Sequence, residues 1–414
     1  MTVRRLAWRI DRAGSLDRLR LVEETLPPPA AGEARVRVHA VGLNFADAFA
    51  CLGLYSATPE GSFVPGLECA GVVEAVGPAP AGQPPRLAPG DRVVVLTRFG
   101  GYATALNVDA RYLHPIPPGW DYAHAAAWPV QGLTAWYGLV RLGAVREGHV
   151  VLVQSAAGGV GLQALAILRA LGARPLAVVG RPEKVAFLGA HAGVPAESVI
   201  VRGPPRDYAR RLDDALRAVG ARGIDVAFDA VLGPWFEPTF ARLAPEGRYV
   251  LYGAADFMTG GARPSWPRLA WRWLTRPRLD PLAMISTNRG CLAFNLIWLW
   301  DAVDRVPEAY AALQALSPLP PHVHGRRPFD RAPEALRELQ SGSTVGKLVL
   351  ATDADGADAG GGTGPGSGVG ARLCSGPDRS STCAPPAGSS PAAGRSRQTS
   401  RRRRSLRAAS TRGR

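Results

Sequence analysis

The chain has 414 residues, 46% hydrophobic and 20% charged, which is enough for two or three domains with layered cores and too apolar for wholesale disorder. Its formal net charge of +15 comes from 49 basic against 34 acidic residues, and only Lys184 and Lys347 among the basic set are lysines. A cationic surface of this kind suits an anionic ligand but decides nothing alone, because it suits weak nucleic-acid or lipid attraction equally well.

Nearly half of that excess charge lies between Asp353 and Arg414, where 11 arginines face four aspartates. The same stretch has no aromatic residue, and its larger aliphatics are Val369, Leu373 and Leu406. Residues 353–414, with the Gly360–Gly370 block and the Arg401–Arg404 run, are therefore predicted to be a disordered, solvated basic tail. Without stacking platforms or a recognisable motif, no specific nucleic-acid partner is expected. Five cysteines, Cys51, Cys69, Cys291, Cys374 and Cys383, are odd in number and lack C-x-x-C spacing, so neither a disulfide framework nor a thiolate zinc cluster is indicated. Arg4, Arg5, Arg9 and Asp11 have no apolar run behind them, so no secretory signal is read there and a cytoplasmic location is expected.

Residues 1–125 alternate short β-rich runs with glycine and proline turns: Ala34 to Val41, Ala70 to Val76, Arg92 to Leu96 and Gly100 to Ala105. The pattern predicts a compact, bent β structure with few helices. From Pro129 the texture changes to helix-length segments between buried strands: Thr134 to Leu142, Val150 to Val153, Leu162 to Leu171, Leu176 to Val179, Ile224 to Phe228, Pro234 to Leu243 and Tyr249 to Tyr252. That alternation predicts a parallel sheet covered by helices. The uncharged run Val150 to Leu168 approaches bilayer-spanning length, but Gln154, Ser155, Gly158, Gly159 and Gln163 punctuate it as strand, turn and helix.

Trp266, Trp271 and Trp273 interleave with Arg263, Arg268, Arg272, Arg276 and Arg278. Three readings are open for this stretch: a packed loop and short helix with water-facing arginines, a dimer or substrate-entry surface, or an interfacial lipid patch. Beyond it, a strand is expected over Gly290 to Trp300, a helix over Val306 to Leu316, a strand at His322 to His324, a helix over Arg331 to Leu339 and a closing strand over Gly346 to Leu350.

The most informative chemistry lies where Val150 to Val153 runs into Ala157, Gly158, Gly159, Val160 and Gly161 and then an apolar helix. Glycines let a pyrophosphate approach the backbone and the amides of the helix N-terminus, and Gly161 relieves crowding between helix and sheet. About 20 residues on, where an acidic residue would bind the ribose hydroxyls of NAD, the chain has Gly180, Arg181 and Lys184. These cannot accept from hydroxyls but pair with a 2′-phosphate, which favours NADP. Glu183 competes for the same cations.

Several motifs in order, Gly42–Asp47, Gly53–Tyr55, Pro65–Gly71, Gly90–Val93, Ala156–Gly161 and Val345–Lys347, make residues 1–352 resemble the medium-chain dehydrogenase/reductase superfamily. Within it, the likeness is to the zinc-independent quinone oxidoreductase branch and its VAT-1-like subgroup. The resemblance implies an α/β architecture: a GroES-like bent β-barrel catalytic domain beside a Rossmann-type doubly wound parallel sheet. The expected division is residues 1–125 for the N-terminal part of the catalytic domain, 126–280 for the NADP-binding domain, and 281–352 for a return segment completing the sheet and the catalytic domain. It further implies a homodimer and NADPH-dependent reduction of a quinone or an α,β-unsaturated carbonyl.

Asn44 stands where the zinc branch carries a cysteine ligand, and neither isolated His39 nor Cys69 completes a ligand set, so no catalytic metal is expected. Hydrogen-bond donors must then stabilise the developing oxyanion, and the resemblance points to Asn44 and Tyr55. The alternatives are an Asx turn for Asn44 and plain wall packing for Tyr55. By the same resemblance Thr134 lies by the cofactor phosphate or nicotinamide ribose unless it caps a helix, Phe294 and Leu296 line the nicotinamide side, and Arg202 stands beside the adenosine phosphate. The competing function is a VAT-1-like, membrane-associated or lipid-handling scaffold with little turnover and weak peripheral membrane contact.

Overall fold

The computed structural model describes residues 1–79, 87–317 and 319–352; the basic tail, with Cys374 and Cys383, lies outside the described residues. Two large sheets dominate. The first has six parallel strands in the spatial order Val199–Val201, Arg174–Val179, Val150–Gln154, Ile224–Asp229, Leu243–Leu251 and Gly290–Ala293. Strand order reverses at Val150–Gln154, the position at which a doubly wound sheet opens a crevice beyond its carboxyl ends. All five residues of that strand are buried, as the unbroken apolar run requires of a strand covered on both faces.

The helix that follows, Gly159–Ala170, buries Gly161, Ala164, Leu165 and Leu168 on one stripe, and each fully buried leucine contributes roughly 1.5–3 kcal/mol. Helix Pro205–Ala218 behaves likewise, burying Tyr208, Leu212, Ala215 and Leu216 while its arginines and aspartates stay outside. The candidate membrane run is thus a strand and a surface-packed helix, and among the described residues no helix is long and apolar enough to cross a membrane.

The second sheet runs Val323–Pro328, Lys347–Ala351, Glu33–Gly42, Glu68–Val76, Arg92–Leu96 and Leu113–Pro115, with Ala105–Asp109 also pairing with Glu33–Gly42. Its pairs are antiparallel apart from Val323–Pro328 with Lys347–Ala351. Register shifts at Arg35/Val36 and Val38/Ala40 bend the long central strand, as bulges do in closing sheets. Segments from both ends of the chain therefore build this sheet, while Gly290–Ala293 adds an outer strand to the parallel one.

Several elements differ from expectation. Val3–Ile10 and Leu19–Leu26 form an unanticipated two-stranded ribbon whose polar face pairs Arg5 and Arg9 with Glu24. The expected strand Gly100 to Ala105 is a loop: Gly100 has φ 95°, and Tyr102 turns its carbonyl to Trp8, so the strand proper is Ala105–Asp109. The helix expected from Thr134 begins at Pro129, which occupies its first turn, where a missing N–H costs nothing. After Trp136 it continues as a π-helical turn over Tyr137–Leu142. The strand expected to reach Trp300 stops at Ala293; the Asn295 side chain accepts from Ile297 N–H and opens a 3₁₀ segment, Leu296–Arg305. The other late elements stand at Val306–Leu316, Val323–Pro328, Ala332–Gln340 and Lys347–Ala351.

Candidate cofactor cleft and its polar wall

The chain leaves strand Val150–Gln154 through Ser155, held at φ 54°, and enters helix Gly159–Ala170 at Gly158. Ala157 is buried, Gly158 donates to Ser155 O at 2.9 Å, and Val160 packs on the core. A Cβ at Gly159 would lie 1.9 Å from the Gln131 side chain, and one at Gly161 would lie 2.5 Å from Ala156 O. The backbone clash demands glycine at Gly161, whereas at Gly159 the Gln131 side chain would have to move; the turn leaves the amides of a twelve-residue helix at the carboxyl end of the central strand, the arrangement that receives a phosphate.

At the end of the neighbouring strand, Gly180 and Arg181 are exposed and Lys184 is half-buried. Lys184 Nζ donates to Gly342 O (2.8 Å) and Thr344 O (2.7 Å), and Arg181 Nη2 reaches Ser341 O at 3.3 Å. Arg202 lies over the Trp235 ring at 4.7 Å, with one guanidinium nitrogen close enough to Gly180 to sit 3.1 Å from a Cβ placed there. Its Nη1 is buried without a hydrogen-bond partner among the described residues. Burial and then the neighbouring Arg181 and Arg202 charges push the Lys184 ammonium pKa down; burial does the same to Arg202. Three cations thus converge where a dinucleotide ribose is expected. Glu183, the anticipated competitor, is exposed in the first turn of helix Glu183–Ala192 and is the last of the causes acting on Lys184.

The β-rich part of the chain holds the two expected catalytic residues, Asn44 and Tyr55. Tyr55 OH donates to Asn295 Oδ1 at 2.8 Å, joining the β-rich part to the turn after Gly290–Ala293. Burial pushes its phenol up to about 12, so it remains a proton donor at neutral pH. Phe294 packs beside Tyr137 and Tyr252, with ring centroids 5.0 and 6.3 Å away, and Leu296 is partly buried against the same core. Thr134 is buried inside helix Pro129–Trp136, not at its start, so the capping alternative falls.

Asn44 is engaged by internal partners. It precedes helix Phe45–Cys51, and its backbone N–H donates to Asp47 Oδ2 at 2.8 Å. Its amide nitrogen donates to Glu68 Oε1 (2.9 Å) and Gly42 O (3.4 Å), while its Oδ1 accepts from Lys347 Nζ at 2.7 Å. Both amide protons are spent inside a buried network, so in this arrangement Asn44 supports the wall and has no proton left for a substrate carbonyl.

Sequence reasoning missed Lys347, the centre of that network. Its side chain is 1% exposed and bonds Glu68 Oε1, whose other oxygen accepts from Val130 N–H at 2.7 Å. Nearby, Asp47 Oδ2 also accepts from Tyr102 OH at 3.1 Å, and burial raises its carboxyl to about 7. The donor set does not fit zinc. Asn44 Oδ1 and Glu68 Oε1 already face an ammonium, and among the described residues no group of three His, Cys, Asp or Glu side chains is placed to hold a metal ion. The signals for Lys347 were its place in the Val345–Lys347 motif and its rarity, since it is one of two lysines in the chain.

Comparison with known proteins agrees with this geometry. Residues 30–118 match the alcohol dehydrogenase GroES-like domain, and residues 196–350 match the model described as zinc-binding dehydrogenase, whose metal this donor set does not suit. The human synaptic vesicle membrane protein VAT-1 homolog is 33% identical over 345 residues, covering 81% of this chain and 84% of that protein. Mycobacterial Rv1454c, solved in complex with NADPH, is 28% identical with a TM-score of 0.70, covering 84% of this chain and 99% of that one. The quinone oxidoreductase of Pseudomonas syringae pv. Tomato gives 26% identity, a TM-score of 0.70 and the same coverage. The chain belongs to the medium-chain dehydrogenase/reductase superfamily, as a relative of VAT-1-like proteins and quinone oxidoreductases.

Proposed function

We propose that this protein is an NADPH-dependent reductase of quinones or α,β-unsaturated carbonyls that works without catalytic zinc. The observation that carries the cofactor choice is the convergence of Arg181, Lys184 and Arg202 behind the glycine turn, with no acid at Gly180 and with the Lys184 ammonium destabilised first by burial and then by its cationic neighbours. A dianionic 2′-phosphate relieves that repulsion, whereas a ribose hydroxyl does not. The amides after Gly158 would hold the pyrophosphate, and Phe294 and Leu296 would face the nicotinamide end. When bound, NADPH supplies a hydride to an electron-poor carbon.

The chain's own part is to bind, orient and protonate. Tyr55, kept protonated by burial, offers its O–H to the oxygen that gains charge, exchanging its bond to Asn295 for one to substrate. Asn44 acts indirectly by holding the wall. The test is an NADPH-oxidation screen across quinones and conjugated enones, with the binding of NADPH and NADH measured alongside. Selective NADPH binding with turnover supports the reading. Binding without turnover favours the scaffold function, and equal binding of NADH removes the phosphate argument.

Two surfaces support the proposed associations. Leu282, Ile285 and Leu292 are exposed around Gly290–Ala293, an outer strand with one open edge among the described residues, which suits edge-to-edge pairing in a homodimer. Light scattering with and without Leu292→Lys tests it. On helix Trp266–Leu274, Trp266, Trp271 and Trp273 face solvent and Arg276 stacks on Trp273 at 3.9 Å. Here the indoles, not only the arginines, point outward. This favours weak peripheral contact with an anionic membrane, tested by vesicle sedimentation after replacing the three tryptophans with alanine. A cytoplasmic location accords with the three free cysteines among the described residues.

A further inference from the structure

The chain uses arginine for all but two of its basic residues. One of the two lysines stands among the cations of the cofactor cleft and the other is sealed in the interior. An arginine guanidinium is a broad planar fork, whereas an ammonium is a compact charge that directs three protons tetrahedrally. Lys347 spends its protons on three elements. Asn44 Oδ1 at 2.7 Å and Glu68 Oε1 belong to the β-rich wall. The third acceptor, Gln131 of helix Pro129–Trp136, receives Nζ at 3.0 Å when its amide is oriented to donate to Ala127 O at 3.2 Å.

The Gln131 contact and the backbone beside the lysine lead to the cofactor turn. The Gln131 side chain fills the space that a Cβ on Gly159 would take. The residue before the lysine, Gly346, donates its N–H to Ala157 O at 2.8 Å and pairs with Gly158 in an isolated parallel bridge. The backbone at Gly346 therefore touches the glycine turn while the side chain of the next residue grips the wall carrying Asn44. Such a buried ion pair is poor evidence for stability, because desolvation offsets its attraction; its best-supported use is to fix one arrangement among several.

We propose that Lys347 is a positioning residue for hydride transfer, an internal clasp that fixes the glycine turn against the Asn44–Glu68 wall of the cleft. The inference rests on the reductase reading above. Hydride transfer needs its two carbons held near 3–3.5 Å, and a displacement of about 1 Å costs on the order of 100-fold in rate. Lys347 touches neither partner; it sets the distance between the elements that hold them.

The experiment compares wild type with Lys347→Met and with the charge-balanced pair Lys347→Met/Glu68→Gln. Removing the ammonium alone leaves a buried carboxylate uncompensated and lowers the melting temperature, measured without cofactor; the double variant removes that penalty and recovers most of the loss. Clasp and filler then separate. For a clasp, the double variant regains melting temperature and binds NADPH within about threefold of wild type. Its kcat stays down by about 100-fold, and the isotope effect from C4-deuterated NADPH rises because hydride transfer now limits the rate. Recovery of kcat together with melting temperature, or a low kcat with an unchanged isotope effect, overturns the proposal. Failure of wild type to bind NADPH would sink the reductase reading instead, and is distinguishable because it appears before any variant is made.

Discussion

Replacing Arg181 and Lys184 together by alanine should convert a cofactor preference into near indifference, and the size of the change follows from where each charge sits. Lys184 is half-buried and its ammonium already bonds Gly342 O and Thr344 O. A charge-assisted bond to phosphate is worth about 1.5–3 kcal/mol, and trading away two carbonyl bonds places Lys184 toward the lower end. Arg181 is exposed and reaches a single carbonyl, so solvent screening limits it to less than about 1 kcal/mol. Their sum, about 1.5–2.5 kcal/mol, corresponds to a loss of NADPH affinity of roughly 10- to 70-fold. NADH lacks the phosphate and serves as internal control, expected to change by less than about threefold. Calorimetric titration of both cofactors at fixed salt measures this, with a second salt concentration to expose the Coulombic share. An equal fall for NADPH and NADH would mean that the cations only hold the 341–344 turn, and would refute the phosphate assignment.

Other outcomes are equally specific. Gly159→Ala pushes a methyl into the Gln131 amide, so it should destabilise the fold by about 1–3 kcal/mol and weaken both cofactors alike, read by thermal melting and titration. Tyr55→Phe removes the proton shared with Asn295 and should lower single-turnover reduction by about 10- to 100-fold while leaving NADPH affinity unchanged; an unaltered rate would return Tyr55 to plain packing. Asp47 carries a carboxyl raised to about 7 from 3.8 because it is buried. The folded chain therefore binds more protons than the unfolded one between those values, and stability falls as pH rises through them. The full penalty, at most about 4 kcal/mol, is reached above pH 7. Asp47→Asn should flatten that slope, being more stable than wild type at pH 8 and similar at pH 4; parallel pH profiles would contradict it.

What was legible in the sequence was local. The run from Val150 to Gly161 announces strand, turn and helix because its strand is uniformly apolar and its turn is glycine-rich, and both signals reside within twelve consecutive residues. The parallel sheet followed from repetition of such units. Segments of weaker contrast were misread: the ribbon Val3–Ile10 carries arginine on its polar face, and helix Pro205–Ala218 is so charged that its buried stripe of Tyr208, Leu212 and Leu216 went unremarked. Gly290 to Trp300 looks like one extended apolar run, yet a single Asn295 side chain bonding Ile297 N–H ends the strand and begins a 3₁₀ segment.

The chemistry of the wall was less legible because it is assembled across the whole chain. Lys347 meets Asn44 across 303 residues and Glu68 across 279, while Tyr55 meets Asn295 across 240. No spacing rule reaches that far. The family resemblance singled out Asn44, an amide capable of donating, but a donor's value depends on which acceptors the fold has already given it. Here Glu68 and Gly42 O take its amide bonds, and Lys347 Nζ bonds both Glu68 and the Asn44 carbonyl in the interior. The same bonds that remove Asn44 from direct contact with substrate make it part of a wall with a fixed charge and little freedom to relax. On the proposed reading, the cationic cluster of Arg181, Lys184 and Arg202 selects the cofactor and the buried ion cluster sets where it meets the wall; the chain's two lysines stand one in each.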